Sequence, residues 1–257
     1  MAKGNMSKKI IVGNWKMNPP TQKEAEKLFS SIARGILRLK NAEVVVAAPY
    51  IYLPALKKIS KKLALGAQDA FAGDVGAFTG EVSMGMLARL GVKYVLVGHS
   101  ERRALGETNI DINKKLKGAL SSELLPILCV GESLRDENHS YFNLVKTQIE
   151  ECLAGISKNS IERIIIAYEP VWAISTTPDR KDATAALSME MVIFIRKVLS
   201  DKFGSEAARV KIIYGGSVNE KDAEEFLRDG GIDGLLPGRA SLDSKKFLKI
   251  IEIAENI

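Results

Sequence analysis

Glu169, His99 and Lys16 are side chains of the types needed to move a proton next to a carbonyl group. A carboxylate can take the proton, an imidazole can polarise the oxygen, and a fixed ammonium can stand against the negative charge that develops there. Glu169 closes an abrupt apolar run, Ile164-Ile165-Ile166-Ala167-Tyr168, and is followed at once by Pro170. Such a run reads as a strand buried on both faces, which leaves the carboxylate at its C-terminal end partly desolvated. Pro170 stiffens the turn, and Trp172 with Ile174 gives the next loop the apolar mass of a lid. A strand-end glutamate in a solvated turn fits the same segment. Taken singly, His99 reads equally as a hydrogen-bonded turn residue and Lys16 as a surface lysine.

The elements that must position these groups alternate from end to end. Short β-rich runs fall at about 9–14, 43–48, 63–67, 92–97, 124–130, 162–168, 209–214 and 232–236, with helical patterns between them. Thr21 with Glu24 has the spacing of a capping box ahead of Leu28, Ile32, Ile36 and Leu39. Thr108 precedes a second helix, residues 138–156 carry another, Asp182 is expected to open the next and Asp243 the last. Eight strand–helix units of about thirty residues fit a single-domain (β/α)8 barrel with eight parallel strands, a fold of roughly 250 residues. Residues 1–8 read as a flexible N-terminal leader and 9–257 as the catalytic barrel. A doubly wound sheet is the competing arrangement. It would usually place a Gly-rich phosphate turn after its first strand, where this chain has Gly13-Asn14-Trp15-Lys16.

In a barrel the longer loops at the strands' C-terminal ends make the active face, and here the long connections are 68–82, 98–107 and 169–181. The first strand then delivers Asn14 and Lys16, the fourth His99, Ser100, Glu101 and Arg102, and the sixth Glu169. The seventh ends in Tyr214-Gly215-Gly216-Ser217 and the eighth in Leu236-Pro237-Gly238-Arg239-Ala240. Glycine turns let backbone N–H groups approach a phosphate closely, although Gly215-Gly216 alone also fits a plain tight turn. Converging on one rim, these residues suit proton transfer on a phosphorylated carbonyl compound. No nucleophile–base pair or metal-ligand cluster competes, and His139 lies in a polar helical stretch away from any strand end.

Composition bounds the rest. The net charge of +6 is compatible with an anionic ligand or with nucleic acid. The pairs Lys57-Lys58, Lys61-Lys62, Lys114-Lys115 and Lys245-Lys246 are scattered over helical segments with few aromatics among them, so they read as solvated helix faces and not as a nucleic-acid surface. Two cysteines suit a reducing cytosol, Cys129 sitting in an apolar run as a small core residue. No apolar stretch approaches membrane-spanning length, and the start lacks the hydrophobic core of a signal peptide. The expectation is a cytoplasmic protein with neither nucleic-acid nor membrane partners.

Several segments carry a resemblance. Gly13-Asn14-Trp15-Lys16-Met17-Asn18, Val97-Gly98-His99-Ser100-Glu101-Arg102-Arg103, residues 167–174 and Tyr214-Gly215-Gly216-Ser217-Val218 resemble the signature segments of the triosephosphate isomerase family. So do Gly76-Ala77-Phe78-Thr79-Gly80-Glu81 and Leu128-Cys129-Val130-Gly131-Glu132, and the likeness runs in order over nearly the whole chain. It implies the TIM barrel and the interconversion of dihydroxyacetone phosphate and glyceraldehyde 3-phosphate. Residue by residue, it makes Glu169 the base, His99 a neutral imidazole serving both oxygens and Lys16 the enediolate-stabilising cation. Asn14 becomes Lys16's neighbour at the substrate, and Glu101 the carboxylate that pairs with the lysine in the open enzyme. Backbone N–H groups around Ser175, Ser217, Gly238 and Arg239 match the phosphate cradle. The resemblance further implies no cofactor, and a homodimer in which Thr79 enters the partner's site.

Two departures stand out. Where the family's lid usually has glycines, this chain has Ser175 and Thr177, whose narrower φ/ψ range implies a stiffer lid. Where the family usually has a second glycine after Gly238, this chain has Arg239. Its backbone donor remains; its side chain could add a charge-assisted contact near the phosphate, but the expectation is that it points outward and pairs with an acid such as Asp243. A phosphosugar-binding barrel without catalysis, and an enzyme of other specificity on the same fold, are the rival readings.

Overall fold

A computed structural model describes residues 8–174 and 182–257. The leader up to residue 7 and the lid residues Ser175 and Thr177 lie outside the described residues. The strands are β1 (Lys9–Asn14), β2 (Ala42–Ala48), β3 (Ala64–Ala67), β4 (Tyr94–Val97), β5 (Leu125–Val130), β6 (Ile165–Tyr168), β7 (Lys211–Tyr214) and β8 (Gly234–Leu235). Each pairs in parallel with the next, and β8 returns to β1 through Ile11 opposite Leu235, closing the barrel. Closure satisfies every strand edge, which is why runs so short suffice.

Alternation along the strands divides the core in two. Ile10, Val12, Val45, Leu96, Ile127 and Ile213 are among the residues that fill the barrel. Ile11, Val46, Val95, Leu128, Ile166 and Ile212 face outward into the larger core beneath the helices. Both faces are therefore apolar, and the strands read as continuous hydrophobic runs. Cys129 belongs to the inner core, as its apolar setting implies.

The helices are α1 (Gln22–Gly35), α2 (Leu53–Leu56), α3 (Met84–Leu90), α4 (Ser100–Ala104), α5 (Asn109–Ser121), α6 (Ser140–Cys152), α7 (Ala185–Phe203), α8 (Ala223–Asp229) and α9 (Ser244–Asn256). Thr108 completes a reciprocal capping box with Asp111, whereas Thr21 accepts from the Glu24 N–H. Asp243 caps α9 through the N–H groups of Lys245 and Lys246. Three expectations need correction. Thr184, not Asp182, caps α7, accepting from the Leu187 N–H. His139 stands just before α6 in the left-handed region (φ 56°), and so is not inside a helix. Lys115 is not solvated: its ammonium is buried between Asp69, at 2.6 Å, and Glu107.

Candidate active site

The rim residues expected from the sequence converge. Asn14, Lys16, His99, Glu169, Ser217, Gly238 and Arg239 all line one cavity at the C-terminal ends of the strands, with Ile174 from the lid segment and Leu236 completing its wall. Ser175, the remaining expected phosphate donor, lies outside the described residues. Thr79 is exposed in the β3–α3 loop, away from this cavity.

Lys16 leaves β1 with φ 52°, a left-handed conformation that costs a non-glycine residue about 1 kcal/mol or more. The surrounding bonds impose it. The Lys16 N–H donates to Asn14 Oδ1 at 3.0 Å, and Gln68 Nε2 donates to the Lys16 carbonyl at 2.8 Å and to that of Ala47 at 3.0 Å. So held, the ammonium points across the cavity to Glu101 Oε1 at 2.6 Å, a half-exposed partner that water or a bound anion can displace.

His99 sits at the N-terminus of α4, where the first N–H groups of a helix lack intrahelical acceptors. Its Nδ1 accepts from the Glu101 N–H at 3.2 Å, so the ring carries its proton on Nε2, the nitrogen turned to the cavity. The next orphan donor, the Ser100 N–H, reaches Glu169 Oε2 at 3.2 Å. One short helical turn thus fixes the imidazole tautomer and one carboxylate oxygen together.

Glu169 is only 2% exposed. Its Oε1 lies 3.4 Å from His99 Nε2 and has no hydrogen-bond partner. Two glycines make room for it. A Cβ on Gly131 would lie 1.9 Å from the Glu169 carbonyl, and one on Gly215 would lie 2.8 Å from Glu169 Cγ. Beneath the site, burial and then the neighbouring Glu169 carboxylate push the Cys129 thiol well above its ordinary range. It stays protonated and is no nucleophile.

At the opposite end the Ser217 N–H donates to the Ala173 carbonyl at 3.2 Å, so a phosphate bound there must exchange that bond for its own. Arg239 is exposed and forms the wall between the cavity and a neighbouring groove bearing Lys221 and Lys246. Asp243, its expected partner, directs Oδ1 to the N-terminus of α9. Among the described residues no cluster of His, Cys, Asp and Glu is arranged to hold a metal ion.

Two positioning groups were missed in the sequence. Gln68, just after β3, is the buttress of Lys16. Glu132, just after β5, is wholly buried and collects the Tyr168 hydroxyl (2.8 Å), Trp172 Nε1 (2.8 Å) and Arg135 Nε (3.1 Å) on Oε1, while its carbonyl accepts from the Val171 N–H. It anchors the start of the lid segment. Both are polar residues at strand C-termini, the signal that located the others.

With this geometry in place, likeness to known proteins can be stated. The family model for triosephosphate isomerase matches residues 9–254. A triosephosphate isomerase of Moorella thermoacetica is 44% identical over 251 residues, covering 96% of this chain and 98% of that protein. One from Dehalococcoides mccartyi is 44% identical over 253 residues, covering 96% and 98%. One from Endomicrobium trichonymphae is 39% identical over 254 residues, covering 97% and 100%.

Proposed function

The chain belongs to the triosephosphate isomerase family, and we propose that it interconverts dihydroxyacetone phosphate and D-glyceraldehyde 3-phosphate with Glu169 as the base. The observation that carries this reading is the buried carboxylate of Glu169, its Oε1 3.4 Å from the N–H-bearing nitrogen of His99 in a cavity that also holds Lys16. Glu169 takes a proton from the carbon beside the carbonyl, and the electron pair moves onto the oxygen to form an enediolate. His99 donates Nε2–H to that oxygen and shuttles the proton between the two oxygens. The Lys16 ammonium leaves Glu101 to stabilise the negative charge, with Asn14 holding its backbone. Glu169 then returns a proton to the adjacent carbon. A positioned base supplies about 10²–10⁴ in rate and one oriented oxyanion donor about 10²–10³.

N–H groups of Ser175, Ser217, Gly238 and Arg239 form the phosphate cradle in this reading. No cofactor enters the scheme. The reaction serves glycolysis and gluconeogenesis. The homodimer is supported by large apolar side chains left exposed on the loops that follow β1, β3 and α4, among them Met17 (94%), Val75 (76%, in the loop of Thr79) and Leu105 (79%). A cytoplasmic setting, without membrane or nucleic-acid partners, is supported by two free buried thiols; no helix among the described residues is long and apolar enough to cross a membrane. The test is a coupled isomerase assay of wild type beside Glu169→Gln. A fall of at least about 10²-fold in kcat is expected, and a variant that keeps wild-type turnover refutes Glu169 as the base.

A further inference from the structure

Glu169 borders two cavities. The first is the substrate cavity. The second, of about 260 Å³, lies behind the carboxylate and is lined by Ser100, Cys129, Val130, Leu144, Gln148 and Val171, among others. Its carboxylate meets one lining residue of each. Oε1 approaches His99, which lines the first cavity and not the second. Oε2 accepts from Ser100, which lines the second and not the first. Glu169 therefore stands between the two spaces.

The second cavity opens to solvent between α4 and α6, where Ala104 is exposed and Leu144 is 44% exposed. Its polar walls are fixed. Gln148 binds both the N–H and the carbonyl of Gly131, and Arg103 Nε donates to the Gly98 carbonyl at 2.8 Å. A space this large and open at one end is accessible to water.

We infer that this rear cavity is a solvent port through which the proton held by Glu169 exchanges with bulk water. The inference rests on Glu169 being the base, as proposed above. In the exchange, the carboxylic acid formed by abstraction gives its proton to water at the rear and takes another from it. In D2O the products are a deuterated carboxylic acid and HDO. Return of that deuteron to the adjacent carbon writes the exchange into the product, in competition with direct return of the original proton.

Isotope content is therefore the readout. Turnover is run in D2O with the product trapped by a coupling enzyme, and the ratio of deuterated to undeuterated product is read by NMR. Leu144→Trp closes the mouth and should lower that ratio by about three-fold or more, as water access falls, with kcat/KM in H2O little changed. Leu144→Ala should raise it. Ala104→Phe, on the opposite lip, is a second closing variant should the tryptophan disturb α6. The same ratio in all four proteins, or no deuterium in the wild-type product, overturns the port. Absence of isomerase turnover in the wild type would instead refute the function on which it rests.

Discussion

Replacing Gly215 by alanine should slow turnover by about ten- to twenty-fold while leaving the protein folded, and the reason is a steric clash with the base. A Cβ at this position would lie 2.8 Å from Glu169 Cγ, with Glu169 Oε1 and Leu236 Cδ2 at 3.4 Å. Ordinary contact begins at 3.4 Å, so the glutamate side chain must retreat by about 0.6 Å. Its backbone cannot retreat with it, because the Glu169 N–H is held by the Val130 carbonyl at 2.8 Å and its carbonyl rests against Gly131. A displacement of about 1 Å in a reacting group costs on the order of 10²-fold, and 0.6 Å scales to a little over one order of magnitude. Alanine is not itself strained here, since Gly215 is not among the left-handed glycines, and its N–H keeps the Tyr168 carbonyl. The stability loss should stay near about 1–2 kcal/mol, the usual cost of one extra methyl group. KM should change little, because the phosphate donors are other groups. Steady-state kinetics in the coupled assay, with thermal melts to confirm folding, decide the matter. A folded variant whose kcat lies within two-fold of wild type would refute the claim that this glycine sets the position of the base.

Two further expectations concern groups away from the reaction. Lys115→Met removes the cation that Glu107 shares with Asp69, which keeps Arg102 at 3.0 Å, and should cost about 3–5 kcal/mol in urea unfolding; a loss below about 1 kcal/mol would show that water reaches the carboxylates instead. Glu255 clips the start of β2 to the last helix by accepting from the N–H groups of Lys40, Asn41 and Ala42 at 2.7–2.9 Å. Burial by itself would raise its pKa, but those three donors win and hold it below the ordinary 4.5. A carboxyl depressed in the folded state contributes stability that is complete above its unfolded value and lost as pH falls through the folded one. The stability gap between wild type and Glu255→Gln should therefore be widest at neutral pH and close below about pH 4.5. A gap that does not vary with pH would remove the ionised clip.

The barrel and most of its rim were legible because the strands are largely apolar on both faces and give way within a few residues to glycine, proline or polar side chains. That contrast survives in the bare sequence even for β8, only Gly234–Leu235 long in the structure. Helix faces were legible in the same way but were read too coarsely. Lys114-Lys115 looks like one solvated pair, yet the two residues stand about 100° apart on α5. Lys115 falls three residues after Ile112, beside Leu116 and four before Ala119, all buried. Helical periodicity alone therefore placed it on the inner face, where a lysine needs acidic partners. Asp182 and Thr184 fail differently. Both are good N-cap residues, and only the tertiary path of the chain selects the second.

No role was read for Gln68, or for Glu132 within its signature segment, because neither does chemistry. A neutral amide after a four-residue strand gives no hint that it must hold Lys16 in a left-handed conformation, and a glutamate after glycine in Gly131-Glu132 resembles any solvated turn. Hydrogen-bond requirements make both necessary. Strained backbone at Lys16 persists only if its carbonyl and N–H are held, and the Asn14 side chain can serve the N–H alone, so another donor must serve the carbonyl. The indole N–H of Trp172, brought into the lid segment beside a buried tyrosine hydroxyl, needs an acceptor that the apolar wall of β6 lacks. Glu132 meets both demands from the neighbouring strand, and Arg135 at 3.1 Å offsets part of the cost of burying its charge. The residues that react announce themselves by type. Those that aim them follow from asking, strand end by strand end, which polar groups would otherwise be left without a partner.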